Sequence, residues 1–108
     1  MLTAHGDLVG IFGINDPCAL GAWASVKEAG KLEQITIIGF DGSPDGKIGV
    51  FEKQLYDTPM QFPRQMATKT VENFLKYVAG ESFDALEFMP CEHYYFADAE
   101  KDPNRTQF

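Results

Sequence analysis

Apolar and polar positions alternate along this chain in blocks of strand length and helix length. "LVGIFGI" (8–14) is a short apolar run rich in branched residues and predicts a strand. It stops at "NDP", where Asp16 is placed to cap a helix and Pro17 to occupy the first helical position. "PCALGAWASVKEAG" (17–30) then sets Ala19, Leu20, Trp23 and Val26 on one helical face, with Gly30 as the stop. "ITIIGF" (35–40) predicts a second buried strand that ends at Asp41. After it, Ser43 caps a helix starting at Pro44, Asp45 suits the dipole of that helix, and Ile48 and Phe51 are expected inward. "LYDTPMQ" (55–61) is a third, weaker strand, and its Pro59 favours an edge or a strand end. From Pro63 to Gly80 the pattern is helical, with Ala67, Val71, Phe74, Leu75 and Val78 forming a clean apolar stripe. "EFMPCEHYYF" (87–96) reads as a returning edge strand, and the polar tail beyond it is expected to fray.

Strands alternating with helices imply an α/β fold: a parallel sheet with right-handed β-α-β crossovers. Ligands of such sheets bind beyond the carboxyl ends of the strands. Asn15, Asp41 and Gln61 end the three strands, so one edge of the sheet is expected to carry an amide, a carboxylate and a second amide. None of the three is a good nucleophile. A carboxylate accepts from adjacent hydroxyls and amides both donate and accept, so the natural ligand for the set is a polyol or sugar. Phe12, Phe40 and Phe62 lie beside them in sequence and suit the C–H face of a sugar ring. The competing account is that the three polar residues merely cap helices or turns.

Composition narrows the choices. A chain of 108 residues is at most one compact domain, 44% hydrophobic and 23% charged, with no apolar run long enough to span a membrane. Its start lacks a signal-peptide pattern, which leaves a cytosolic protein or a piece whose address lay upstream. The net charge of −7, with scattered cations, argues against direct nucleic-acid binding. Cys18 and Cys91 lack metal-ligand spacing and are expected as two buried thiols; His5 and His93 show no cluster around them and are expected at the surface. From Asp41, residues Asp41, Ser43, Asp45, Gly46 and Glu52 fit a calcium-loop register, yet a strand rather than a helix precedes them, and Pro44 and Val50 are out of place. A phosphate loop lacks its lysine pattern. No cofactor or metal is expected, and no enzyme either, because Asp41 and Asp45 are better explained as ligand contact and helix start.

Taken together, "GIFGINDPCALGAWASVKEAGK", "ITIIGFDGSPDG" and "MQFPRQM" resemble the C-terminal part of ribose-type periplasmic sugar-binding proteins, the solute-binding components of sugar ABC transporters. The resemblance runs from about Leu2 to about Val78 in order and spacing. It implies a type I periplasmic-binding-protein fold, in which a pentose or hexose is trapped between two lobes and passed to a membrane permease. Asn15, Asp41 and Gln61 match that family's polar ligands of the second lobe. Residues 1–61 would belong to that lobe, 62–80 to a hinge crossing and first-lobe helix, 81–96 to a returning edge strand and 97–108 to a polar tail. The full-length parent would be periplasmic, or extracellular and lipid-anchored; here the first lobe, the signal peptide and part of the second lobe would be missing. Ala67 departs from a common Gly, and the tail is longer than the pattern requires. A helix stripe made for an absent lobe implies self-association or helix exchange of the short chain. The alternative is the effector-binding core of a lactose-repressor-type regulator; regulators more often show an Asp where this chain has Gly42.

Overall fold

A computed structural model of the chain describes residues 1–107. They form two compact units: Met1–Met60 with the stretch from Glu92 onward, and Gln61–Cys91. In the first unit, β1 (Gly10–Phe12) and β2 (Thr36–Ile38) pair in parallel, Gly10 opposite Thr36 and Phe12 opposite Ile38. The pairing continues past both strands, through Thr36 N–H to Val9 O (2.9 Å) and Gly13 N–H to Ile38 O (2.8 Å). The crossover between them is α1 (Asp16–Glu28), and α2 (Pro44–Phe51) follows β2.

The third predicted strand is a ribbon held at single points. Ile38 bridges Asp57 and Asp41 bridges Met60, both in parallel. Pro59 has no N–H to give and interrupts the ladder. On the ribbon's other side the returning segment pairs antiparallel, Asp57 with Tyr95 and Met60 with Glu92. The first unit therefore carries a four-line sheet, regular at one side and reduced to bridges at the other. The core is Ala19, Val26, Ile35, Ile37, Val50, Leu55, Tyr94 and Ala99, all buried. Burying one such aliphatic side chain is worth roughly 1.5–3 kcal/mol.

Four expectations need correction. Asn15, not Asp16, caps α1: its backbone is extended and its side chain accepts the Cys18 N–H, while Asp16 is the first helical residue and fully buried. In α2 the buried residues are Gly46, Lys47, Gly49 and Val50, whereas Phe51 is exposed. Close approach contributes: any Cβ on Gly46 would overlap the Asp16 carboxylate, and one on Gly49 would crowd Leu20 and Leu55. As far as Gln107 the tail is docked rather than frayed. Residues Phe96–Lys101 form α4, whose Phe96 stacks on Phe51 at 6.2 Å, and Arg105 reaches back to Ala99 O with its guanidinium 4.1 Å above the Phe51 ring. Cys18 and Cys91 are both exposed rather than buried. On α1, the Ala19–Trp23–Val26 face packs inward and turns Cys18 outward with Ser25, seven residues along.

The second unit is α3 (Pro63–Ala79), ended by Gly80 in the left-handed region (φ 72°), and the segment after it. Tyr77 meets Phe83 edge-to-face at 6.3 Å, and Lys69 pairs with Glu87 at 3.4 Å. No residue of α3 is buried. Val71, Phe74, Leu75 and Val78 are 57–66% exposed.

Candidate functional site

Asn15 and Asp41 lie at equivalent places in the first unit. Phe12 and Ile38 are register partners, and each polar residue stands three positions beyond its strand's end. The parallel pairing is what brings residues 26 apart in sequence to neighbouring strand ends. Both are half-buried. Phe12 and Phe40, one on each strand line, make an edge-to-face pair at 6.2 Å beside them. Gln61 is the first residue of the second unit and follows directly on Met60, the residue that bridges Asp41. Phe62 is the residue before α3, with Pro63 at the first helical position.

Asn15 turns out to have two tasks available to it. Its Oδ1 accepts the Cys18 N–H at 2.9 Å as the cap of α1, so the Nδ2 donors are the part of the amide suited to a ligand. The capping account considered at the sequence level is therefore correct for the oxygen of Asn15. Asp41 is unusual in its backbone: φ is 105°, a region that costs a non-glycine residue about 1–3 kcal/mol and persists only when its surroundings over-determine it. Gly42 follows at φ 65°, where glycine carries no such cost. Ser43 caps α2 as expected, its Oγ accepting the Gly46 N–H at 3.1 Å, and Asp45 lies in the first turn.

Below these residues sits a polar group that sequence reasoning assigned wrongly. The Asp16 carboxylate accepts from Ser43 N–H (2.8 Å), Ser43 Oγ (2.7 Å) and Thr58 Oγ1 (2.6 Å) and has no exposed surface. Three donors offset the desolvation of a buried carboxylate, and Asp16 also stands at the positive end of α1. Gly39 and Gly46 flank it, and a side chain at either would collide with its oxygens. The adjacent Pro17 drew attention to Asp16 as a cap; no local signal pointed to Thr58, 42 residues away.

His93 does have neighbours, contrary to expectation. Its Nδ1 lies 2.5 Å from Oδ2 of the buried Asp57, and its ring stacks on Tyr95 at 5.2 Å. Asp57 Oδ1 accepts the Tyr94 N–H, so the pair fastens the returning segment to the ribbon. Further along, the Tyr94 hydroxyl donates to Asp102 Oδ2 at 2.9 Å. Burial first, and then the bond to that carboxylate, push the Tyr94 hydroxyl up from its ordinary value. For Asp102, burial acts upward but is outweighed by hydrogen bonds from Asn104 N–H and Tyr94 and by the charges of Lys47 and Arg105, leaving its carboxyl below the usual range. A cavity of about 770 Å³ opens near Trp23, Ile35, Thr36, Leu55, Tyr56 and Tyr95. It lies at the amino ends of the strand lines, the opposite end from Asn15 and Asp41, where parallel sheets do not hold their ligands.

A parallel strand pair with an amide and a carboxylate just beyond adjacent carboxyl ends has its polar groups where sheets of the α/β class hold ligands. The chain belongs to the periplasmic binding protein domain family, whose model matches residues 1–82. It is 41% identical over 85 residues to the ribose import binding protein of Escherichia coli (strain K12), covering 79% of this chain and 28% of that protein. Among solved structures, it resembles an ABC transporter solute-binding protein from Agrobacterium vitis with bound D-fucose at TM-score 0.77 and 32% identity, covering 98% of this chain and 37% of that one. A second, from Actinobacillus succinogenes 130z with bound D-allose, matches at TM-score 0.81 and 25% identity, over 94% and 35% of the two chains. The chain thus spans less than a third of the ribose protein's length and just over a third of these structures. Its fold is that of part of a type I periplasmic binding protein.

Proposed function

We propose that the chain is part of a solute-binding protein of a sugar ABC transporter, and that it contacts a pentose or hexose through Asn15, Asp41 and Gln61. The observation that carries this is the matched placement of Asn15 and Asp41 at adjacent parallel strand ends, beside the Phe12–Phe40 pair. In this role the Asp41 carboxylate accepts from sugar hydroxyls, the Asn15 amide donates, and Gln61 adds an amide where the chain leaves the first unit. Residues 1–61 act as second lobe, 62–80 as hinge crossing and first-lobe helix, 81–96 as the returning strand and 97–108 as its extension. The whole protein works outside the cytoplasmic membrane with a permease partner and performs no chemistry. Relatives named as import binding proteins favour this over the lactose-repressor-type alternative.

Alone, the chain has only part of a cleft. Sugar affinity falls because half the hydrogen bonds and the opposing wall are missing. The apolar stripe of α3 is covered by self-association or helix exchange with a second copy. A titration of the isotopically labelled chain with D-ribose, followed by amide NMR, tests the site. Weak, millimolar-range shifts confined to Asn15, Phe40–Gly42 and Gln61 support it. Absence of shifts at these residues at saturating sugar refutes it, and micromolar binding contradicts the partial cleft.

A further inference from the structure

From Asp41 to Ser43 every backbone N–H is held. Asp41 N–H donates to Pro59 O at 3.0 Å, Gly42 N–H to Thr58 Oγ1 at 3.1 Å, and Ser43 N–H to Asp16 Oδ2 at 2.8 Å. The direction of this network is fixed by chemistry. Buried among three donors, the Asp16 carboxylate accepts, so the Thr58 hydroxyl gives it its proton and accepts from Gly42. Ser43 Oγ likewise donates to Asp16 and accepts from Gly46. The result is a relay from the turn after β2, through the ribbon, to the first residue of α1. Such chains strengthen cooperatively and fail as a unit.

We propose that Asp16 and Thr58 are positioning residues for Asp41: they clamp the two residues after it and so hold its strained backbone at the strand end. Neither has exposed surface, so neither touches a ligand; they act through Asp41. The clamp explains how φ of 105° is tolerated at an aspartate, since the residues on its C-terminal side are tied to two other elements. This inference rests on Asp41 being a sugar contact, and the experiment separates the two.

Amide exchange and NMR shifts are measured for the wild type, Thr58→Val and Thr58→Ser, with D-ribose as the probe. Thr58→Val keeps the shape and removes the hydroxyl; Thr58→Ser keeps the hydroxyl and removes the methyl. In Thr58→Val the Gly42 amide exchanges about tenfold faster, the worth of one ordinary hydrogen bond. The Gly13 amide, bonded to Ile38 O, serves as the control and stays protected. Ribose-induced shifts at Asp41 shrink in Thr58→Val and return in Thr58→Ser. The clamp is overturned if Gly42 exchange is unchanged in Thr58→Val, if Thr58→Ser is as impaired as Thr58→Val, or if exchange rises equally at Gly13. Where the wild type shows a ribose-induced shift at Asp41, the clamp is also overturned if that shift is the same in all three proteins. A wild type with no ribose-induced shift at Asn15 or Asp41 defeats the sugar reading alone, and the Gly42 exchange still decides the clamp. Asp16→Asn, which sets an amide N–H against the Ser43 or Thr58 donors, gives the same Gly42 signature where it folds; the Thr58 pair decides where it does not.

Discussion

The two units of this chain handle apolar surface in opposite ways. In the first, modest patterns build a buried core, in which Val26 and Val50 have no exposed surface and Leu55 retains 3%, although Val9, Phe12, Ile14 and Tyr56 stay exposed. In the second, α3 carries the most regular apolar stripe in the sequence and buries none of it. Periodicity therefore reports that a face is made to be covered, and says nothing about whether the cover lies within the same 108 residues. The first unit gains its cover from a mixed sheet and three helices; within the second unit, α3 has the segment at Phe83–Glu87 along one side.

The sharpest way to break the contrast is to truncate one leucine in each unit. Leu55→Ala should cost about 2–5 kcal/mol in urea unfolding, because it removes a buried core side chain that packs against the Gly39 and Gly49 backbones. Leu75→Ala, 61% exposed, should change stability by no more than about 0.5 kcal/mol at concentrations where the chain is a monomer. Equal losses would mean that the α3 stripe is covered after all.

Charge on the stripe sharpens the same point at the level of assembly. Phe74→Glu with Val78→Lys should shift the chain from associated species to monomer in sedimentation, leaving the first unit's folding unchanged. A wild type that is already a monodisperse monomer with little hydrophobic-dye binding would end the self-association proposal.

The smallest expected effect concerns pH and the docked tail. Asp102 has its carboxyl depressed in the folded chain, so its contribution to stability is complete above the ordinary carboxylate range. As pH falls through that range the unfolded chain takes up the proton first, and the contribution is gone once pH drops below the folded value. Urea unfolding across acidic pH should therefore show a steeper decline for the wild type than for Asp102→Asn. Parallel curves would show that the Tyr94–Asp102 bond does not couple the tail to the core.

What local order could encode was readable in the residues themselves. The starts of α2 and α3, the Ser43 cap, the Gly80 stop and the three strand lines follow from spacing and capping, because those interactions span three or four residues. Placing Asn15 and Asp41 at neighbouring strand ends needed only the alternation of strand and helix. Other features were decided by the tertiary structure alone. Asp16 gave up the cap to Asn15 because Ser43 and Thr58, 27 and 42 residues away, converge on its carboxylate. His93 met Asp57 across 36 residues once the returning segment paired with the ribbon. α2 turned Gly46 against the Asp16 carboxylate and Gly49 against Leu20 and Leu55, where a Cβ has no room, and left Phe51 exposed. Sequence spacing specifies which groups are neighbours along an element, whereas buried polar partners are chosen by the sheet that brings distant segments together, and a buried carboxylate accepts whichever donors arrive there.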